Sequence, residues 1–539
     1  MPIVTINDQK IEVAPKTSIL NAAKELGIEI PHFCYHPSLA IVDACRMCLV
    51  EVKDVPKLLT SCSNMVRDDM VVFTDTPKVQ EARKGVLEML LLNHPMDCPI
   101  CDKAGECKLQ DSYFKFSLHD SRLNPVDGKI HKPKVVDLGS KIVLDVERCI
   151  VCTRCVRFCR EVVGKDELGI FNRGDHSQIG TFDGKPLEND YQGNLTDVCP
   201  VGALTSKDFR FQSRTWFLSK TDSICPGCSR GCNVEVHTSS RSLEKTKRRV
   251  YRLKPRENQD VNKIWMCDVG RYGYQFVDSF DRLTVPSIRQ GDEFAQADWD
   301  TALDAVAREI RNVSERFGPS AVGVLVSPQL TNEDLYAAKK LFNEKLRITN
   351  MDFKLSGWDQ GEADQILLMS DRNPNSKGAE LLGLTGLGAT GDQILEKTAR
   401  GEIKALFIMG NDVAKSLGED KVSDCLAGAE FVVYQGSNFN ATCKFAHVIL
   451  PGATFAEKNG TFANFEARVQ KINKAVEPLG ESLPDWEITT RLSRAMGYPL
   501  PYESAEDVFD DIRRDVIDFA GLSYEKLGGQ GLQLTASEE

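Results

Sequence analysis

The sequence predicts a multidomain chain of two characters: α+β metal-binding domains in the first half and parallel-sheet α/β structure in the second. Three observations carry this. The chain has 539 residues, more than a single hydrophobic core usually organises. Sixteen of its 18 cysteines lie between Cys34 and Cys267, and only Cys425 and Cys443 follow. From about Asp278 onward, short apolar runs alternate with helix-like stretches.

The bulk properties narrow the class. Composition is that of a folded protein, 42% hydrophobic and 27% charged. A formal net charge of −11 argues against nucleic acid as a partner. The longest apolar run, Met89–Leu92 with its neighbours, is far shorter than a membrane span. The chain runs from Met1 straight into the strand-like Ile3–Ile6 with no leader pattern, so a reducing cytosol is expected. Tightly grouped cysteines in such a compartment read as metal ligands, not as a disulfide framework.

The first group is Cys34, Cys45, Cys48 and Cys62. It follows a predicted hairpin (Ile3–Ile6, Ile11–Val13) and a predicted helix (Ser18–Leu26). Hairpin, helix and cysteine loop in that order suggest a 2Fe–2S site of plant-type ferredoxin layout. The Cys45-x2-Cys48 pair matches, whereas ten residues separate Cys34 from Cys45 where plant-type loops have four. Zinc is the competing occupant, but zinc sites usually offer two such knuckles and this group has one.

The second group is His94, Cys98, Cys101 and Cys107, after a predicted amphipathic helix over Val79–Asn93 that should stop before Pro95. Three thiolates and one neutral imidazole would hold a 4Fe–4S cube at a higher potential than four thiolates, as histidine does in Rieske centres. The remaining histidines (His32, His36, His119, His131, His176, His237 and His447) are read as structural, with His32 and His36 flanking Cys34.

Cys149, Cys152, Cys155 and the distant Cys199-Pro200 form the third group, the bacterial ferredoxin signature of a 4Fe–4S site. Cys159 extends the run, but Arg160 follows it and no second C-x2-C-x2-C precedes Cys199. It is read as a spare buried thiol, the alternative being a further cluster. The fourth group is Cys225, Cys228, Cys232 and Cys267. Zinc is a stronger competitor here. Pro226, Gly227 and Gly231 favour close backbone approach to a bulkier 4Fe–4S cluster.

In the second half, strands are predicted at Ala321–Val326, Ala405–Met409, Phe431–Tyr434 and Val448–Leu450. Thr331-x-x-Asp334 reads as a capping box opening a helix through Leu341. Loops at the carboxyl ends of such strands either bind a ligand or merely turn the chain. No P-loop, dinucleotide fingerprint or nucleophile elbow is present in the sequence, so no flavin, NAD or ATP site is expected on this chain.

These four groups, in this order, resemble the large iron–sulfur subunits of respiratory NADH:quinone oxidoreductase, the G (75 kDa) subunits of complex I. The likeness covers residues 1 to about 275. It implies one 2Fe–2S cluster and three 4Fe–4S clusters, the fourth group being found in only some bacterial members. The second half resembles a degenerate molybdopterin oxidoreductase through Trp299-Asp300-x-Ala302-Leu303, Thr331-Asn332-Glu333, and Leu450-Pro451-Gly452 onward through Glu457-Lys458-Asn459-Gly460-Thr461 to Asn464, Glu466, Arg468 and Gln470. It departs from active members in having no cysteine between Asp268 and Asp424, and in ending soon after the Glu457 region. No molybdenum cofactor is therefore expected.

The resemblance thus implies ferredoxin-like iron–sulfur domains followed by a truncated molybdopterin-oxidoreductase-like α/β region. The expected divisions are 1–78, 79–138, 139–217 and 218–275 for the four cluster domains and 276–539 for the α/β region. It further implies a flavin- and NADH-binding partner subunit and a quinone-side iron–sulfur partner. Membrane contact would come only through partners, at the cytoplasmic face of a bacterial inner membrane. Two other assemblies share the front end, molybdenum-dependent formate dehydrogenase and NAD-linked hydrogenase. The missing thiolate counts against the first, and partner subunits would decide the second.

Overall fold

The structure is a computed structural model that describes residues 1–116, 122, 128–239, 248–356, 360–385 and 387–534. It divides into two compact units, Met1–Phe217 and Leu218–Glu539. His119 lies outside the described residues.

The first unit opens with the hairpin Ile3–Ile6 and Gln9–Glu12, turned by Asn7 and Asp8 at positive φ. Val4 and Ile6 are fully buried. The hairpin belongs to a five-stranded sheet in which Ile3–Ile6 pairs in parallel with Met70–Phe73, and that strand pairs with Leu49–Val52. Helix Ile19–Glu25 follows, capped by Ser18 Oγ accepting from Asn21 N, and buries Ile19, Leu20, Ala22 and Ala23 in the core beneath the sheet. The next helix spans Pro77–Leu91 rather than Val79–Asn93. Thr76 caps it and Pro77 occupies its first turn, where a missing N–H costs nothing. Helix Lys108–Phe116 and a three-stranded sheet of Val136–Asp137, Ile142–Leu144 and Leu204–Ser206 complete the frame of this unit's later loops.

The second unit begins with an antiparallel sheet of Ser219–Ile224, Asn233–Thr238 and Val250–Pro255. Its centre is a seven-stranded sheet. Met351–Asp352, Val322–Val326, Ala405–Met409, Phe431–Gly436 and Val448–Pro451 run parallel in that spatial order. The four longer strands are buried throughout, as a sheet covered on both faces requires. The strand from Phe431 runs two residues past Tyr434, because Gln435 and Gly436 pair with Leu450 and Pro451. The antiparallel edge hairpin Ser287–Gln290 and Glu293–Gln296 was not among the expected strands. Helix Trp299–Phe317 packs its apolar stripe on the sheet. The capping box at Thr331 and Asp334 forms as expected and opens helix Asn332–Ala338, which continues as a wider turn over Lys339–Lys345.

Candidate metal centres

The first group is presented as two thiol pairs. Cys34 hydrogen-bonds Cys45, and Cys48 hydrogen-bonds Cys62. Cys34, Cys48 and Cys62 are essentially inaccessible. Each contact lowers one thiol of its pair, Cys34 and Cys48, and raises the other, Cys45 and Cys62. Phe33 N and Cys34 N both donate to Cys45 Sγ at 3.4 Å. Asp43 and Arg46 take positive φ between the ligands, and Asp43 accepts from Thr60 Oγ1 and Ser63 Oγ. These bonds fix the longer loop that the spacing left unexplained.

His94, Cys98, Cys101 and Cys107 line one cavity of about 130 Å³, walled further by Leu91, Met96, Tyr113, Phe114 and Gly202. Burial, then Arg148 and Lys129 against the opposing pull of Asp97, lowers the His94 ring to about 4, so it is neutral at physiological pH. Its Nδ1 is buried without a hydrogen-bond partner. A neutral imidazole nitrogen with a free lone pair in this company fits a metal ligand. Burial raises the Cys107 thiol to about 11. Thr215 Oγ1 and Arg214 Nη1 bond the Ala104 and Cys101 carbonyls and so brace the loop.

Cys149, Cys152, Cys155 and Cys199 line a second, tighter cavity with Leu144, Ile179 and Val201. Val151 and Thr153 both take positive φ between the ligands. Two β-branched residues in that region are strained, and strain of this kind gathers at functional sites. Burial pushes the Cys149 and Cys152 thiols up to about 12 and Cys155 further. Such thiols ionise readily only when a metal takes the proton's place. This loop is tied to both of the others in its unit. Arg148 Nε and Nη2 grip the Asp97 carboxylate at 3.1 and 2.7 Å, joining the residue before Cys149 to the residue before Cys98.

In the second unit, Cys225 N donates to the Cys232 carbonyl at 2.9 Å, and Gly231 turns between them at φ +66. Cys267 caps helix Asp268–Tyr272, its Sγ accepting from Gly270 N at 3.4 Å. A Cβ on Gly270 would lie 2.5 Å from Cys225 Sγ and 3.7 Å from Cys267 Sγ, so only glycine lets these thiols converge. Burial raises Cys225, Cys232 and Cys267, and the thiols of this group reinforce one another. The Ser229–Gly231 loop is held by Phe465 N, Asn464 Nδ2 and Gln470 Nε2.

Among the described residues, no three His, Cys, Asp or Glu side chains are arranged to hold a single metal ion. The second and third groups each wall one cavity. Cys159 is buried, raised to about 12 by burial and then by Glu167 and Asp166. Cys443 is buried and Cys425 half-buried. The other described histidines have protein partners: His32 with the Ile30 carbonyl, His36 with Ser38 N, His131 with Glu147, His176 with Asp175, His237 with Glu235 and His447 with Val432 N. What the ligand spacings did not reveal is the set of buried arginines, Arg148, Arg154 and Arg157, inside and beside the third loop. Their only sequence signal is basic residues interleaved with the cysteines.

The fold and these sites define a class, a chain with 2Fe–2S and 4Fe–4S binding domains joined to a molybdopterin-oxidoreductase fold. Family models match accordingly. They are a 2Fe-2S iron-sulfur cluster binding domain over 3–77, an NADH-ubiquinone oxidoreductase-G iron-sulfur binding region over 83–122 and an NADH-quinone oxidoreductase subunit 3 ferredoxin-like domain over 139–205. A molybdopterin oxidoreductase Fe4S4 domain follows over 218–279, and molybdopterin oxidoreductase over 282–371 and 371–495. The chain belongs to the family of NADH-quinone oxidoreductase G subunits and their mitochondrial 78 kDa counterparts. It is 33% identical to the mitochondrial NADH-ubiquinone oxidoreductase 78 kDa subunit of Candida albicans, over 97% of this chain and 88% of that one. It is 29% identical to the NADH-quinone oxidoreductase G subunit of Rickettsia conorii, over 96% of this chain and 91% of that one. Among solved structures, an NAD+-reducing NiFe-hydrogenase matches at 28% identity over 39% of this chain and 90% of that one, with a TM-score of 0.36.

Proposed function

We propose that this chain is the electron-transfer subunit of an NADH:quinone oxidoreductase, passing electrons from a flavin- and NADH-binding partner subunit towards a quinone-side iron–sulfur partner. Its family membership and its four ligand groups support this. The observation that carries it is the buried, unpartnered Nδ1 of His94 beside three thiols in one cavity.

Cys34 with Cys45 and Cys48 with Cys62 would each hold one iron of a 2Fe–2S cluster. His94, Cys98, Cys101 and Cys107 would hold a 4Fe–4S cluster, as would Cys149, Cys152, Cys155 and Cys199, and Cys225, Cys228, Cys232 and Cys267. When bound, such clusters take up and release single electrons. The chain's own residues exclude water by burial and donate N–H bonds to sulfur, as Val151 N does to Cys149 at 3.4 Å. Both effects tune potential. The domain boundaries proposed are 1–78, 79–138, 139–217, 218–275 and 276–539. Molybdenum chemistry has no part in the proposal. The sequence has no cysteine between Asp268 and Asp424, and Gln435 at the sheet's carboxyl edge donates to Asp485, itself bonded to Lys458. Among the described residues no helix is long and apolar enough to cross a membrane. The proposed place is the cytoplasmic face of a bacterial inner membrane, reached through partner subunits.

Iron analysis of the purified complex should give about 14 atoms for this chain if all groups are filled, or about 10 if the fourth holds zinc. In His94→Cys, low-temperature EPR should show one 4Fe–4S signal altered, at a lower potential, with the others in place. Unchanged signals throughout would remove His94 from the ligand set.

A further inference from the structure

Arg154 and Arg157 lie one turn apart on helix Arg154–Phe158, which grows directly out of the third ligand loop. Both are buried, with 4% and 6% of their surface exposed. Arg157 Nη2 donates to the Cys34 carbonyl at 2.6 Å and to the Cys152 carbonyl at 3.4 Å. Its Nη1 donates to the Ala40 carbonyl and its Nε to Thr153 Oγ1 at 3.2 Å. Arg154 donates to the Tyr35 carbonyl, and through Nη1 to the Val198 carbonyl at 3.2 Å. Each guanidinium therefore bonds the backbone of the first group on one side and of the third group on the other. The residues it reaches are ligand positions or lie close to them in the chain.

Among the described residues, neither cation is paired with a carboxylate. Their partners are carbonyls and a hydroxyl, which supply dipoles but no charge, and Arg154 Nε is buried without a hydrogen-bond partner. The Arg154 guanidinium is enclosed between the Tyr35 and Val198 carbonyls. A buried guanidinium without a counter-charge is strongly destabilising. Ionised ligands supply that counter-charge, and both groups provide them once metallated.

We propose that Arg154 and Arg157 form a shared positive element of the first and third sites. They are positioning residues that hold the two ligand loops together and raise the reduction potential of both clusters at once. This rests on the iron–sulfur reading of those two groups. A fixed positive charge stabilises an added electron, and a charge bonded to both loops does so on both sides. No bond forms or breaks, and the guanidiniums keep their protons throughout.

The test is an EPR-monitored redox titration of both clusters in the purified complex, for wild type, Arg157→Gln, Arg154→Gln, Arg157→Lys and Arg160→Gln. Arg160 is exposed and pairs with Asp166 at 2.6 Å, so it controls for a mere change in net charge. The expected result is a fall in both midpoint potentials in each buried Gln variant. Arg157→Lys should recover most of the loss, and Arg160→Gln should shift neither. A Gln variant that moves only one potential or neither, or an Arg160→Gln shift of equal size, overturns the proposal. Where Arg157→Gln does not assemble, Arg154→Gln decides by the same criterion. Absence of either signal in the wild type would instead refute the iron–sulfur reading, and the proposal with it.

Discussion

The first and third ligand loops and the α/β body bury charge in different ways. In the loops, Arg154 and Arg157 are enclosed among carbonyls. In the α/β body, the buried charges close on one another. Lys458 Nζ bonds Asp334 at 2.6 Å and Asp485 at 2.7 Å, and all three are essentially inaccessible. Burial opposes the ammonium charge of Lys458, yet the two carboxylates hold it protonated. Glu457 is gripped by Arg282 at 2.8 and 3.0 Å and by Arg249 at 2.8 Å, which keep its carboxylate ionised against burial. The difference separates two loops whose buried cations face carbonyls from an α/β body whose buried charges are matched by its own side chains. It also gives physical content to the likeness of the α/β region to cofactor enzymes, because the carboxyl edge of its sheet is bridged by the chain's own ion pairs.

The sharpest way to break this comparison is to strip the iron. Chelation under reducing conditions should unfold residues 1–217, where metal binding is also folding energy, while the α/β body over 282–495 keeps its protection. Limited proteolysis with mass spectrometry reads this directly. Equal protection of both regions after complete iron loss would void the distinction.

The next largest effect is expected within the closed network. Lys458→Met leaves Asp334 and Asp485 buried and unpaired, at a cost of about 3–5 kcal/mol. Adding Asp334→Asn and Asp485→Asn should restore much of it. Denaturant unfolding of the wild type, the single variant and the triple variant checks both halves.

A smaller effect concerns Glu333. It is fully buried, accepts from Thr461 N at 2.7 Å and from Tyr524 Oη at 3.0 Å, and burial raises it from 4.5 to about 7. A carboxyl raised on folding stabilises the protein fully below its unfolded value, and that contribution is lost as pH rises through the folded one. Stability should therefore decline between pH 4.5 and about 7, by at most about 3 kcal/mol. Glu333→Gln should flatten that slope in thermal unfolding across the same range.

The second and third groupings were legible from their short spacings and the Cys-Pro pair, and the structure brings each of the two sets around one cavity. The parallel strands were legible because burial on both faces demands unbroken apolar runs such as Ala405–Met409. The edge hairpin at Ser287–Gln296 was not, since half-exposed residues give no such run. Helix Pro77–Leu91 was displaced by two residues because apolar periodicity outweighed the cap at Thr76. Asp334 shows the limit well. Its capping role is local and visible in the sequence, but its bonds to Lys458 and to Trp486 N join residues more than a hundred positions apart. Arg154 and Arg157 escaped notice for a related reason. A basic residue among cysteines looks like a solvated one until the other loop is placed against it.

Gly202 carries a consequence for how the molecule is made. A Cβ there would sit 2.2 Å from Cys101 Sγ, and this residue forms part of the wall around the second ligand set. Lys108 N bonds the Pro200 carbonyl, and Lys103 Nζ bonds the Thr196 carbonyl. A nascent chain that has emerged only as far as Cys107 thus possesses His94, Cys98, Cys101 and Cys107 but not the Gly202 wall of their cavity. The enclosure of these four side chains is complete only after the further stretch from Cys107 to Gly202 has been synthesised, so the order in which the cavities close need not follow the order of their residues in the sequence.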